Sequence, residues 1–230
     1  MESRNVFQVT YWLALAVAIA PLVSIPATNI LFVAALIAML AAHRRIEMPP
    51  RLGLPLLFFV GLTVVAVAVA GEWRVSFGKV KQLIVFATLP LVFTVFRRDP
   101  LAMRRLIAGW AVVATASGLW SFIQFLNKRQ FAIEHRIDFY EFYVGQRATG
   151  FMSHWMTFGA EQMIVVLVLA AALLFGVFQR RRPLLWVCLA VITASIMLSF
   201  VRSVWIGTAI AAVYLIAMWR ARLLLLLPVV

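Results

Sequence analysis

Residues 9–42 run for 34 positions without a charged side chain. A bilayer-spanning helix needs about 20 apolar residues, within a range of roughly 17–25. The run is too long for one such helix and just long enough for two short ones. Pro21, Ser24 and Pro26 mark the break, because proline ends or kinks a helix at the residue before it. The expectation is a tight hairpin of two spans, 9–24 and 27–42.

The remaining chain repeats the pattern. Apolar stretches predict further spans over 54–70, 82–96, 106–126, 160–178, 184–200 and 204–219. A short outer turn is expected over 71–81. A ninth apolar run opens at Leu223 and holds only eight residues, too few to cross a bilayer as a helix. The chain therefore reads as the N-terminal portion of something longer. Composition agrees with the class: 65% of residues are hydrophobic, where a soluble domain has about 45–50%. The fold expected is all-α, a polytopic integral membrane protein with residues 1–230 as a single transmembrane domain. Cys188, the one cysteine, lies inside an apolar run and rules out an intramolecular disulfide.

A net charge of +13 would point to nucleic acid in a soluble chain. In a membrane protein, Lys and Arg gather in cytoplasmic loops instead, so no nucleic-acid partner is expected. Thirteen basic residues fall in one set of loops: Arg4, the clusters at 44–51, 97–105 and 180–182, and Arg220 with Arg222. The alternate set holds eight: Arg74, Lys79, Lys81, Lys128, Arg129, Arg136, Arg147 and Arg202. The richer set is placed in the cytoplasm with both termini. The poorer set, including a long loop at 127–159, faces outward.

The long loop belongs to the largest polar interruption in the chain, from Asn127 to Gln162. It carries four of the eight acidic residues (Glu134, Asp138, Glu141, Glu161) and two of the three histidines. Aromatics are threaded through it. Phe139-Tyr-Glu-Phe-Tyr143 reads as an amphipathic segment lying at the membrane surface, and eight aromatics in the loop are too many for a disordered tether. Aromatic faces also stack on sugar rings.

Outer-face basic residues carry the most information, because the topological bias works against them there. Arg202 sits between two long apolar runs. It is either a snorkelling anchor beside Trp205 or a cation facing a watery cavity. Arg147, ahead of Gly150, is either a solvated loop charge or a guanidinium able to hold a phosphate through paired hydrogen bonds. Glu161 suits a helix start for dipole reasons alone. His154 is a general base or an interfacial histidine; His135, between Glu134 and Arg136, reads as a solvated loop residue. There is no Gly-rich phosphate loop, and two outer-face histidines 19 residues apart are a poor metal signal.

Two motifs then stand in order: Arg147-Ala-Thr-Gly150-Phe-Met-Ser-His-Trp-Met-Thr-Phe-Gly159, and, after a span and a basic turn, Leu198-Ser-Phe-Val-Arg202-Ser-Val-Trp205. Together they resemble the O-antigen ligase and O-antigen polymerase family of bacterial envelopes. There an Arg-x-x-Gly-Phe segment precedes a span, and a Ser-x-Ser-Arg-like turn follows two spans later. The serine placement departs slightly here, in Ser199-Phe-Val-Arg202-Ser203. The resemblance implies a glycosyltransferase-like membrane fold in the bacterial inner membrane, working on its periplasmic face. It implies a polyisoprenyl-diphosphate-linked glycan as donor, with a lipid A core sugar or another repeat unit as acceptor, and no metal or other cofactor. Arg147 and Arg202 match arginines thought to engage the diphosphate; Lys79, Lys81 and Arg136 are further candidates for that role. Arg202, Glu161 and His154 are the candidates for catalysis. The family's catalytic histidine lies in a later periplasmic loop, so His154 is not its counterpart.

Two other classes compete. A transporter or flippase for an envelope lipid or glycan places discontinuous helices and polar groups near the midplane, often in inverted repeats. No repeat is evident, and the strongly polar candidates within the spans are chiefly Asn29 and Gln124, near span ends. A membrane scaffold without catalysis leaves every basic residue topological.

Overall fold

A computed structural model describes residues 2–43, 45–69, 83–97, 99–179 and 182–220. The regular elements among them are all helical. They are α1 (Glu2–Ile19, prolonged by a 3-10 turn at Ala20–Leu22), α2 (Ile25–Ala41), α3 (Gly53–Val69), α4 (Ile84–Phe96), α5 (Ala102–Glu134), α6 (Phe139–Gly145), α7 (Trp155–Leu174), α8 (Arg182–Leu198) and α9 (Arg202–Arg220). Three of these, α5, α7 and α9, are long and apolar enough to cross a membrane. The other apolar helices offer apolar stretches of 17 residues or fewer. The expected outer turn at 71–81, with Lys79 and Lys81, and the apolar run from Leu223 lie outside the described residues.

Each of the eight stretches expected as spans coincides with a helix among the described residues, and the break at 21–26 is where the first two part. Pro26 falls in the first turn of α2, where its missing N–H costs nothing. The largest departure is at α5. The sequence predicts a span ending at 126, yet the helix runs on to Glu134. Polar residues such as Asn127-Lys-Arg-Gln130 end the apolar stripe without ending the helix, since Lys, Arg and Gln are good helix formers. Termination comes at Arg136, which takes a left-handed φ of 52°. Its N–H reaches the Ile133 carbonyl at 3.3 Å, and that of Ile137 reaches Ala132 at 3.0 Å, the paired bonds of a Schellman stop. At 33 residues α5 is about 50 Å long, well beyond a hydrocarbon layer of about 30 Å. The polar interruption thus starts as helix, and the connection from α5 to α7 spans 135–154 and contains α6.

The chain divides into two compact units, Met1–Pro21 with Ile25–Met103, and Leu22–Ser24 with Arg104–Val230. In the first, α1 packs on α2 and α4. Tyr11, Ala14 and Val17 meet Phe32, Ala35 and Met39, with Leu91 and Val95 of α4 alongside. These positions recur every three or four residues, as one helical face requires. Helix α3 buries none of its side chains.

In the second unit α7 is the central helix. Val165, Leu169, Ala172 and Leu173 pack with Ile107, Ala111 and Ala114 of α5 and with Leu185, Ile192 and Ile196 of α8. The buried Gln162 amide donates to the Ala114 carbonyl at 3.1 Å, a polar tie between α7 and α5. Helix α9 buries only Val204. Its Ile206, Ile210, Tyr214 and Met218 are exposed along one face, a surface suited to lipid.

Candidate functional site

The site is built on a polar stripe along α5. Ser117, Ser121, Gln124 and Lys128 stand at i, i+4, i+7 and i+11, one face of the helix. Three of the four moor the segment 146–151. Gln124 Oε1 accepts from the Thr149 and Gly150 N–H groups at 2.9 and 3.1 Å, and its Nε2 donates to the Gly150 carbonyl at 3.1 Å. Ser117 Oγ accepts from Phe151 N–H at 3.1 Å. Lys128 Nζ donates to the Gln146 and Arg147 carbonyls. Backbone groups that water would otherwise satisfy are thus met by side chains.

Gly150 shows why the motif has glycine there. Its φ is +59°, and a Cβ at that position would lie 2.5 Å from ring carbons of Phe158. Both the conformation and the space exclude a side chain.

The second support is α6, capped by Asp138, whose carboxylate accepts from Glu141 N–H at 2.9 Å. This helix presents Tyr143 inward, 1% exposed, while Tyr140 stays 60% exposed. The Tyr143 hydroxyl donates to the Leu198 carbonyl at 2.6 Å and accepts from Ala148 N–H at 3.2 Å. Its ring packs edge-on against Phe125 and Phe200. Burial pushes the phenol above its ordinary pKa; the Ala148 N–H and the Arg147 charge pull it back in part. Tyr143 therefore joins both motifs seen in the sequence: the loop after α6 and the turn after α8.

That turn is tight. Phe200 takes a left-handed φ of 50°, Trp205 Nε1 donates to the Ile196 carbonyl at 3.2 Å, and α9 begins at Arg202. Gly159 of α7 comes so close that a Cβ there would meet Ser199 Oγ at 3.0 Å.

Between loop and turn lies a cavity of 360 Å³ whose lining includes Tyr140, Arg147, Met156, Phe200, Arg202 and Ser203. Its size is within the range of small-molecule sites. Arg147 is half-buried, and Arg202 is exposed. Arg147 Nε donates to the Val144 carbonyl at 3.1 Å, and its guanidinium carbon stands 5.4 Å from the Trp155 ring centroid. One of five donors is spent on fixing the group, so the planar fork remains available. Arg202 and Ser203 open α9, where the first N–H groups have no intrahelical partner and the helix end is partly positive. None of the described lining residues is acidic. Two cations and a helix start thus border one small cavity.

The other candidates stand elsewhere. His154 caps α7: its Nδ1 accepts from Met156 N–H at 3.2 Å and its ring stacks on Trp155. Glu161 is half-buried in the second turn of α7. Arg136 is the exposed residue that stops α5. None of these three lines the arginine cavity. Among the described residues no three of His, Cys, Asp and Glu come together as a metal-ligand set. Sequence reasoning did not find Ser117, Lys128 or Tyr143 as supports. The stripe at 117, 121, 124 and 128, inside an otherwise apolar helix, is the signal that marks most of them.

No protein-family model matches the chain, and neither a curated protein nor a solved structure matches it.

Proposed function

We propose that the protein is a membrane-embedded glycan transferase of the O-antigen ligase or polymerase type, binding a polyisoprenyl-diphosphate-linked glycan at the Arg147–Arg202 cavity. The observation that carries this reading is the meeting of the two arginines. They lie 55 positions apart in the chain, in two separate motifs, and line one cavity. A diphosphate leaving group gains negative charge on its oxygens as the glycosyl bond breaks. Pre-positioned guanidinium groups offset that charge without reorganising. The exposed apolar faces around the site suit the lipid tail, and Tyr140 at the cavity offers a ring for sugar stacking.

In the same reading α1–α5 and α7–α9 are eight spans of a bacterial inner membrane. Both termini are cytoplasmic, and α6 lies with the cavity on the periplasmic side. The 13-to-8 distribution of basic residues supports that orientation. The acceptor is a lipid A core sugar or another glycan repeat.

The test is Arg202→Lys, assayed by surface glycan on a gel beside an immunoblot for abundance. Lysine reaches an interface as well as arginine does but lacks the fork. Loss of one charge-assisted contact of about 2–3 kcal/mol in the transition state lowers transfer roughly 30- to 150-fold. Normal transfer at equal abundance contradicts the proposal.

A further inference from the structure

The first compact unit has a cavity of its own, 490 Å³, where α1 begins and α2 and α4 end. One wall is apolar, from Phe7, Met39 and Val95; the rim carries His43, Arg45 and Glu47. The rim is held in shape. His43 closes α2 in a left-handed conformation, φ 51°, its N–H bonded to the Leu40 carbonyl at 2.9 Å. The chain then returns along α4. Thr94 Oγ1 accepts from Glu47 N–H at 2.8 Å and donates to the Pro90 carbonyl at 2.7 Å. The Pro90 carbonyl lies one turn below in the helix that proline interrupts.

Charge on the rim is unbalanced. Glu47, the acid in the lining, forms an ion pair with Arg97. Arg45 is exposed at the mouth, and among the described residues no carboxylate pairs with it. A cation with five N–H donors thus stands at the rim of a pocket with one apolar wall. We infer that this cavity holds the headgroup of an acidic phospholipid, with the phosphate at Arg45 and the acyl chain along Phe7, Met39 and Val95. Basic pockets at the ends of packed membrane helices bind such headgroups, and guanidinium pairs with phosphate through two parallel bonds. A soluble phosphate ester makes no use of the apolar wall, and a zwitterionic lipid brings its own cation to a rim that lacks a free acid. Ile46 and Met48, in the same segment as Arg45, are also exposed.

The experiment uses the whole protein in nanodiscs of phosphatidylcholine doped with phosphatidylglycerol. Lipid retained after gentle detergent release is counted by native mass spectrometry. Wild type is expected to keep phosphatidylglycerol in preference to phosphatidylcholine. Arg45→Gln is expected to lower that retention about ten-fold, the factor one charge-assisted contact supplies. Arg51→Gln, a basic residue of the same stretch outside the cavity, is expected to leave it unchanged. Phe7→Glu, at a half-exposed position, puts a carboxylate against the apolar wall and is expected to abolish retention, which keeps the test decisive if Arg45→Gln does not fold. Retention unchanged in Arg45→Gln or in Phe7→Glu overturns the inference. So does an equal loss in Arg51→Gln, which is diffuse charge attraction. Soluble glycerol phosphate raising the melting temperature in pure phosphatidylcholine discs as much as phosphatidylglycerol does overturns the lipid assignment.

Discussion

The Tyr143 hydroxyl donates to the Leu198 carbonyl at 2.6 Å, and through this bond a seven-residue helix holds the turn that presents Arg202. The same oxygen accepts from Ala148 N–H, next to Arg147. Tyr143→Phe keeps the packed ring and removes both bonds, leaving a buried N–H and a carbonyl without that partner. The expected loss is about 1–3 kcal/mol, read as a lower unfolding midpoint in detergent. Proteolysis within 146–154 is expected to quicken at the same time. An unchanged midpoint with an unchanged cleavage pattern contradicts the clamp.

Gly150 and Gly145 form a matched pair. Gly150→Ala must place a methyl against Phe158 at positive φ, at a cost of about 1–3 kcal/mol or more. Gly145→Ala meets open space and is expected to stay within about 0.5 kcal/mol of wild type. Thermal melts of the two variants side by side check the difference; equal melts would mean that the loop does not pack on Phe158 as described.

Gln124 satisfies three backbone groups with one side chain. Gln124→Leu keeps the bulk and offers none of those bonds. Hydrogen exchange at the Thr149 and Gly150 amides is expected to rise at least roughly ten-fold. Exchange at Phe151, which bonds Ser117 instead, is expected to rise less. A uniform rise across α7 as well would indicate general unfolding.

The helices were legible in the sequence because apolar runs bounded by charge or proline leave few alternatives. The end of α5 was not. Polarity marks where an apolar layer stops, whereas the helix stops where Arg136 turns left-handed, and no glycine advertises that. Arg147 and Arg202 were legible as members of the poorer set of basic residues, but their place on one cavity depends on the Tyr143 bond and on the Gly159–Ser199 approach. Tyr140 and Tyr143 are alike in sequence; only packing separates the exposed ring from the buried one. His154 reads in the sequence as a general base or an interfacial histidine; the structure adds that it caps α7, a local bond consistent with its position just before an apolar run.

Orientation is open to direct labelling. In a Cys188→Ala background, Asp138→Cys, at the start of α6, is expected to react with an impermeant thiol reagent added to intact cells stripped of their outer membrane. Cys188 is only half-buried, so its removal is needed to silence background. Labelling that appears only after the inner face is opened reverses the topology.

The central claim is that Arg147 and Arg202 hold one anion between them. A double-mutant cycle on binding of a polyisoprenyl diphosphate to the protein in nanodiscs measures this directly, with Arg147→Lys, Arg202→Lys and the pair. Residues that share a ligand couple by about 0.5–3 kcal/mol, whereas independent sites add within about 0.3–0.5 kcal/mol. The account predicts that each single variant weakens binding and that the pair departs from additivity by more than about 1 kcal/mol. Purely additive losses, or no loss in either single variant, would contradict it.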